Sequence, residues 1–469
     1  MRTERDSMGE MAVPAEVLYG ASTQRAVLNF PISGTPLPVA FIRALARVKA
    51  ACAGANEELG LIPLAKSQLI QQVAAEIVAG KHDAHFPIDV FQTGSGTSTN
   101  MNLNEVIANR ASQLAGEPIG SKRPLHPNDD VNLGQSSNDI IPTALHVSVA
   151  LALQENLAPA LEALAAALEE KSTAWRDLVK IGRTHLMDAT PLTLGQEFSG
   201  YAAQVRKAVA RCQRGVATLS ELAVGGTAVG TGINTHEEFG GRVARILARE
   251  TGLNFIEAEN HFEAQAGRDD CVEVAGLLVA VTAALAKIAN DIRLLGSGPR
   301  AGLGELKLPA TQPGSSIMPG KVNPVMSEML VQVGLYVEGL CSTVQRAGRE
   351  GHFELNVTLP LMAHCLHESI RCLTNAVNVF RTQCITGLEP DVARCRELVD
   401  RSLMLVTALN PYIGYDAAAA VAKEALTTGR TLRDVVLARG LMDAATLDQA
   451  LEPLSMTKPG ASALGGGGG

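Results

Sequence analysis

Four clusters of hydroxyl, amide and imidazole side chains have the residue types that bind small anions and move protons. They are residues 93–100 (TGSGTSTN), 136–139 (SSND), 182–185 (GRTH) and 314–324 (GSSIMPGKVNP). We expect each cluster to lie where a helix starts, with Pro142 and Pro324 in first turns and residues 188–191 opening the helix after the third cluster. A helix N-terminus presents unpaired N–H groups and a partial positive charge, so these clusters could hold carboxylates. Ordinary N-capping is the alternative for each Ser, Thr or Asn.

The charge balance requires that any anion be bound locally. The chain has 469 residues, with 40 Lys and Arg against 48 Asp and Glu, a formal net charge of −8. This provides no broad cationic surface for nucleic acid or an anionic membrane. Nucleotide binding is also disfavoured, because no Lys-Ser/Thr pair follows Gly94 and Gly96 and residues 226–232 lack the dinucleotide-binding spacing.

Cysteine and histidine spacing gives no strong metal signal. The eight cysteines form no C-x-x-C pair, and we expect buried, reduced thiols. His364 and His367 could share one helical face as metal ligands, but spacing suggests no further ligand and packing is the default interpretation. The charged N-terminus has no apolar segment behind it, and the apolar stretch 274–286 is shorter than the ~20 residues of a membrane span. We therefore expect a cytoplasmic protein.

The pattern of apolar residues predicts an all-α protein with three domains. Long Ala/Leu/Val helices are predicted at residues 141–168, 192–222, 270–295 and 324–347, a short helical stretch is predicted at residues 39–59, and strand-like alternation is nearly absent. We place an N-terminal, mostly helical domain at 1–136, a central helical bundle at 137–361, and a small helical domain at 362–469 ending in a disordered glycine tail, 465–469. Helices apolar on most faces must be enclosed, which suggests burial against neighbouring subunits.

Residues 314–324 closely resemble the signature of the fumarase/aspartase superfamily. The resemblance continues through residues 92–111, 126–132, 135–146, 180–201, 221–234, 287–306, 351–357 and 402–426, so it covers nearly the whole chain. Within the superfamily the chain resembles class II fumarate hydratases, because His185 stands in a Gly-Arg-Thr-His context where aspartases typically carry Gln. The loop at residues 93–97 points the same way.

The resemblance implies an all-helical homotetramer with active sites shared by three subunits and with no metal or organic cofactor. Its implied reaction is the reversible hydration of fumarate to (S)-malate in the tricarboxylic acid cycle, by anti addition or elimination of water through an aci-carboxylate intermediate. Ser315 would be the catalytic base. His185, oriented by Glu328, would deliver a proton to the departing hydroxyl. The implied substrate-binding residues are Ser95, Gly96, Thr97, Ser136, Ser137, Asn138, Thr184, Ser316, Lys321, Val322 and Asn323.

A secondary anion site is also implied by the resemblance, at Arg123, His126, Pro127, Asn128 and Asp129. A structural role or incidental anion binding remains an open alternative there. For the whole chain the alternatives are another superfamily lyase, such as an aspartate ammonia-lyase, and a helical scaffold that has lost the chemistry. Met187 stands where many fumarases have Gln, which bears on substrate identity.

Overall fold

The computed structural model describes residues 1–459, and most of them are helical. The predicted glycine tail lies outside the described residues. The helices in chain order are α1 (Ala21–Asn29), α2 (Val39–Glu58), α3 (Leu64–Val78), α4 (Thr97–Leu114), α5 (Ser137–Ala152), α6 (Ala158–Ala174), α7 (Leu194–Thr218), α8 (Phe239–Thr251), α9 (His261–Ala266), α10 (Asp269–Leu295), α11 (Val325–Ala347), α12 (Leu359–Phe380), α13 (Val392–Arg401), α14 (Asn410–Ile413), α15 (Tyr415–Thr428), α16 (Leu432–Ala438) and α17 (Ala444–Ala450).

The strands in the described part of the chain form two-stranded pairs. They are β1 (Arg2–Asp6), β2 (Gly9–Val13), β3 (Val179–Thr184), β4 (Met187–Thr193), β5 (Glu221–Leu222), β6 (Ile256–Glu257), β7 (Leu306–Lys307), β8 (Gly351–His352), β9 (Leu355–Asn356) and β10 (Glu389–Pro390). The pairs β1–β2, β3–β4, β7–β10 and β8–β9 are antiparallel, and β5–β6 is parallel. Such small sheets leave the core to the helices, and the predicted all-α class is confirmed.

The chain divides into two compact units. Unit 1 comprises Met1–Leu161, Ala208–Ala283 and Gln332–Ala376, and unit 2 comprises Glu162–Lys207, Ala284–Val331 and the chain from Val377 onward. The division into three domains at residues 136 and 361 stays a prediction.

Helix α5 is buried along nearly its whole length in unit 1. Its apolar residues cover every face, from Ile140 at the start to Ala152 at the end, and its polar residues Thr143 and Ser148 bond back to carbonyls of the same helix. Because the backbone polar groups of a helix are satisfied internally, a helix that is apolar on every face can be enclosed by its neighbours. This rigid helix positions one of the four polar clusters.

Helix α10 is longer than the apolar stretch that marks it in the sequence. It spans 27 residues, and by length and composition alone it is long enough to cross a membrane. The core helix of a globular protein passes the same test, and 44% of its most apolar 18-residue window is buried within this chain. The helix predicted at residues 270–295 is therefore confirmed, and length and composition alone do not separate it from a membrane span.

The sequence predicts that the third polar cluster lies at a helix start, and this prediction is wrong. Residues 182–185 end β3, and residues 188–191 lie in β4, so both belong to a hairpin. The strand forms because Ile181 is buried in a core of unit 2 built from α13 and α15–α17, with Val421, Val435 and Leu447. Helix α7 begins after the hairpin, where Thr193 and Gln196 exchange side-chain-to-backbone hydrogen bonds of 2.9 and 3.0 Å.

The other three clusters do precede helices. They lead into α4, α5 and α11, as predicted. Helix α5 starts at Ser137, earlier than expected, because Ser136 and Asp139 form a capping box. Pro142 consequently lies inside α5 beyond its first turn, and Pro324 directly precedes α11.

Candidate active site

The N-termini of α4 and α5 meet in unit 1 through a chain of hydroxyl groups. Ser95 Oγ lies 2.8 Å from Thr97 Oγ1, which lies 2.7 Å from Ser137 Oγ. Gly96, at φ +72°, caps α4, and a Cβ there would come within 2.8 Å of the Ile141 side chain on α5. A glycine is therefore needed where the two helix ends approach most closely. The structure brings together these predicted binding residues, which lie 40 positions apart in sequence.

The first turn of α5 is held by a buried carboxylate. Asp139 accepts backbone N–H groups of Ser136, Gly225 and Thr227 at 2.9 to 3.1 Å. Burial raises the pKa of Asp139 to about 6, and the N–H donors oppose that rise. Ser136 Oγ accepts the Asn138 N–H at 3.2 Å, so the capping role that the sequence left open holds for this serine.

Asn138 is tied to the loop that passes over the start of α5. Its Nδ2 donates to the Ala228 carbonyl at 2.8 Å. Unit 1 thus contributes hydroxyls, amides and two helix N-termini, which are neutral donors suited to a carboxylate ligand.

His185 lies at the tip of the β3–β4 hairpin in unit 2. His185 and Leu186 form its two-residue turn between paired Thr184 and Met187, with φ of +56° and +63°. Positive φ at both central positions is typical of a type I′ turn, which favours Asn and Gly. The backbone is therefore strained at these two residues, which carry larger side chains. Thr184, His185 and Met187 are all exposed in this chain, and the imidazole is presented outward.

A buried row of alternating charges anchors the stem of this hairpin. Arg183 contacts Glu305 through two hydrogen bonds of 2.9 and 3.1 Å. Lys180 Nζ lies 3.5 Å from the same carboxylate and 3.1 Å from Glu197. Glu305 is fully buried, and each buried charge has an opposite neighbour. This arrangement fixes the strand directly before Thr184 and His185.

Ser315 lies near the start of the loop at residues 314–323, whose two ends are joined by hydrogen bonds. The Gly314 N–H donates to the Lys321 carbonyl at 2.8 Å, and Asn323 Nδ2 donates to the Gly314 carbonyl at 2.7 Å. Within the loop, Ser315 Oγ accepts the backbone N–H groups of Ile317 and Met318 at 3.2 and 3.1 Å. Two N–H donors aimed at one hydroxyl oxygen stabilise negative charge on that oxygen.

The other predicted site residues of this segment lie in the loop or in the helix that follows it. Ser316, Lys321 and Val322 are exposed, and Glu328 is half-buried in the first turn of α11. The loop thus places a serine, a lysine and an amide within nine residues, ahead of a helix that carries a carboxylate.

The predicted secondary anion residues only partly share one cavity. His126, Pro127 and Asn128 line a cavity of about 520 Å³ in unit 1, whose lining does not include Arg123 or Asp129. His126 Nδ1 accepts the N–H groups of Asn128 and Asp129 at 3.3 and 3.1 Å. The cavity is also lined by Glu4, Asp6, Glu105, Arg5 and Lys122, so its walls have mixed charge.

The suggested imidazole pair on α12 does not form a metal site. His367 is buried, and its Nε2 lies 2.8 Å from Ser148 Oγ on α5. Burial lowers the pKa of His367 to about 4, so it is a neutral packing residue. Within residues 1–459, no group of three or more His, Cys, Asp or Glu side chains is arranged to hold a metal ion.

All eight cysteines are free, and seven are buried. Burial raises the pKa of several, for example that of Cys271 to about 11 and that of Cys384 to about 12. The expectation of free, buried thiols is confirmed for seven cysteines, and Cys372 is half-buried.

Comparison with known proteins places this arrangement in a family. A family model for lyases matches residues 9–339, and a model for the fumarase C C-terminus matches residues 405–458. A Pseudomonas aeruginosa protein named fumarate hydratase class II 1 is 51% identical over 459 residues, which cover 98% of this chain and 99% of that protein. The chain belongs to the class II fumarate hydratase family.

Further relatives agree with this class II fumarate hydratase assignment. A protein of that name from Thermosynechococcus vestitus is 53% identical over 448 residues, 96% of either chain. The crystal structure of a class II fumarase from Schistosoma mansoni superposes with a TM-score of 0.94 at 40% identity, covering 98% of this chain and 99% of that one. The predicted resemblance and the lyase class are confirmed.

In this class II fumarate hydratase family member, the groups that hold the clusters in place have partners that are distant in sequence. Glu305 and Arg183 lie 122 residues apart, and Asp139 reaches Thr227 across 88. No local spacing could have paired them. A usable signal was the polar character of Lys180 and Glu305 between apolar neighbours, which is unusual for residues that end up buried.

Proposed function

We propose that this chain catalyses the reversible hydration of fumarate to (S)-malate, the hydro-lyase step of the tricarboxylic acid cycle. The observation that carries the proposal is the Ser315 hydroxyl oxygen held by two backbone N–H groups, within a motif that resembles the superfamily signature. Full-length relatives named class II fumarate hydratase support the same reaction.

In the malate-to-fumarate direction, Ser315 removes a proton from the carbon beside a carboxylate. An unperturbed serine is far too weak a base, and the N–H groups of Ile317 and Met318 favour its alkoxide. The carbanion is delocalised into the carboxylate as a dianionic aci-carboxylate. Lys321 supplies positive charge to that group. Because an amide nitrogen carries two protons, Asn323 can hold Gly314 with one and a substrate oxygen with the other.

The second half of the reaction expels hydroxide from the opposite face of the substrate. His185 donates a proton to the departing hydroxyl, directly or through water, and Glu328 orients it. Anti elimination requires base and acid on opposite faces, which suits two groups carried by separate structural elements. The hydroxyls and amides at the starts of α4 and α5, together with Thr184, bind the dicarboxylate.

The family assignment also supports a soluble, cytoplasmic homotetramer whose active sites combine three subunits, and a reaction that needs no metal or organic cofactor. No nucleic-acid or membrane partner is proposed.

The shared site has its own test, in which inactive His185→Asn and Ser315→Ala chains are refolded together. If the two residues of one site come from different chains, about a quarter of sites recover both wild-type copies in a randomly mixed tetramer. Activity no higher than that of the separate mutants, in a mixture shown to have exchanged subunits, contradicts the sharing.

The activity is tested by adding malate to purified, chelator-treated protein and following the ultraviolet absorbance of fumarate. We expect turnover of malate, no turnover of aspartate, and no loss of rate on chelation. Fumarate and ammonia from aspartate would instead support the ammonia-lyase alternative. No turnover of either substrate would support a scaffold without chemistry, and restoration of lost activity by iron would contradict the metal-independent mechanism.

A further inference from the structure

A fully buried lysine lies beneath the α4–α5 site and has no role in the mechanism above. Lys49, on α2, is 0% exposed, and its Nζ lies 2.8 Å from both Asn132 Oδ1 and Gln135 Oε1. Both of these hydrogen-bond partners are oxygens of neutral side-chain amides. Burial lowers the pKa of Lys49 to about 7, while the Cys52 thiol and the Asp139 carboxylate oppose the change.

Asn132 joins Lys49 to helix α4. Its Oδ1 also accepts Asn100 Nδ2 at 3.1 Å and Asn104 Nδ2 at 3.2 Å. Three donors on one oxygen, one of them cationic, form a strong junction. Since Asn100 lies in the first turn of α4, this junction fixes the helix end that carries Thr97.

Asn132 and Lys49 also fix the segment that leads into α5. Asn132 Nδ2 donates to the Gln135 carbonyl at 3.0 Å, and Gln135 Nε2 donates to the carbonyls of Val131 and Leu133 at 3.1 and 3.2 Å. Gln135 directly precedes Ser136, the residue that caps α5. One buried ammonium group therefore ties together the two helix ends that share the Thr97–Ser137 contact.

We propose that Lys49 is a positioning residue for dicarboxylate binding: its ammonium group sets the register of the α4 and α5 N-termini and adds buried positive charge behind them. This inference rests on the proposed function. Burying a cation costs desolvation free energy, and hydrogen bonds to two amide oxygens offset only part of that cost. A bound dianion supplies the missing negative charge in a low-dielectric setting, where charges interact over longer distances.

The test compares Lys49→Met and Lys49→Gln with the wild-type enzyme. Met keeps nearly the length of the side chain without its charge, and Gln restores an amide nitrogen with two N–H donors but no charge. We expect KM for malate to rise about tenfold in Lys49→Met and less in Lys49→Gln, with kcat within about twofold of wild type, since loss of uniform binding raises KM alone. The control is Val48→Ala, the fully buried neighbour on α2, which lowers stability by opening a cavity and should leave KM unchanged.

The result that overturns the proposal is a folded Lys49→Met enzyme whose KM stays within twofold of wild type. A KM rise of equal size in Val48→Ala also overturns it, because the effect would then follow from stability alone. If wild-type protein neither turns over malate nor binds succinate, the proposed function fails and this inference fails with it. A fully active wild type with an unchanged variant contradicts only the role of Lys49.

A measurement on wild-type protein covers the case in which both variants fold poorly. The Lys49 amine resonance, which we expect to titrate near pH 7, is followed by nitrogen-15 NMR with and without saturating succinate. Linkage is reciprocal, so a tenfold effect of the lysine charge on binding requires succinate to move that titration midpoint upward by about one pH unit. An unchanged midpoint at saturation overturns the proposal.

Discussion

The two regions that carry the candidate site residues are built in different ways. In unit 1, Thr97 and Ser137 lie on helices whose ends are locked by buried hydrogen bonds. In unit 2, His185 and Ser315 lie on a strained hairpin tip and an exposed loop. Groups that bind the substrate must already be in place when it arrives, because ordering them on binding would reduce affinity. Groups that transfer protons need access to the substrate. How well the His185 side chain is held in place depends on the contacts that anchor the stem of the β3–β4 hairpin.

On the proposed function, this comparison predicts that the helix-end cluster of unit 1 mainly sets affinity and that the proton-transfer groups of unit 2 set the rate of the chemistry. Substitutions in the helix-end cluster should therefore raise KM, and those in the hairpin and loop should lower kcat. The variants below test that division.

The largest effect is expected for Ser315→Ala. Loss of the base should lower kcat by about 10³-fold, in the range found for general acid–base groups, while succinate still binds with near wild-type affinity. Steady-state kinetics with malate and calorimetric titration with succinate measure the two quantities. A variant that keeps its kcat would exclude Ser315 as the base.

A smaller loss of kcat is expected for Arg183→Lys. Lysine keeps the charge but cannot form the two-point contact with Glu305, so the hairpin that carries His185 should loosen. We expect kcat to fall about tenfold and KM to change less than twofold. Arg206→Lys is the control, because Arg206 makes the same two-point contact with Glu169 on an exposed surface. Equal losses in both variants would contradict a role specific to the hairpin.

For unit 1, Thr97→Val removes the central hydroxyl of the chain from Ser95 to Ser137. KM for malate should rise about fivefold to tenfold, corresponding to about 1 kcal/mol for a lost hydrogen bond, with kcat nearly unchanged. Ser98→Ala is the control, since Ser98 Oγ lies 2.9 Å from the exposed Thr93 hydroxyl, outside the chain from Ser95 to Ser137. If Thr97→Val instead lowers kcat with KM constant, the division between the regions is wrong.

The smallest effect on catalysis is expected for the body of α5, where the contact between His367 and Ser148 acts on stability. The folded pKa of His367, about 4, is depressed below its ordinary value of 6.5, so its stabilising contribution is present above pH 6.5 and is lost as pH falls toward 4. Between pH 7 and 5, the free energy of unfolding should fall by about 2 kcal/mol more in wild type than in His367→Gln. Urea unfolding at both pH values measures this, and parallel losses would show that His367 contributes nothing.

The sequence predicted the local features best. The helices α2, α10 and α11 and the starts of α4 and α5 follow from apolar periodicity and capping residues, which act within a few positions. At the β3–β4 hairpin the sequence wrongly predicts a helix start, because residues 188–191 also resemble a capping sequence. What decides it is the burial of Ile181 against residues more than 200 positions away, which local pattern does not contain.

The candidate residues were found by type and resemblance, but their supports were not. The Thr97–Ser137 contact, the Arg183–Glu305 pair and the buried Lys49 all depend on partners distant in sequence. These tertiary contacts decide which hydroxyl groups act as helix caps. Ser136 illustrates this, since only the structure shows its oxygen accepting the Asn138 N–H.

The most direct test of the account is the hydration of fumarate in D2O, followed by proton NMR of the malate formed. Proton delivery by one base to one face predicts a single deuterium at C3, in only one of its two stereochemical positions, anti to the added hydroxyl. Thr97→Val should give the same product with a raised KM, and Ser315→Ala should give almost none. Deuterium in both positions, or malate formed by Ser315→Ala at the wild-type rate, would contradict the assignment of the chemistry to unit 2.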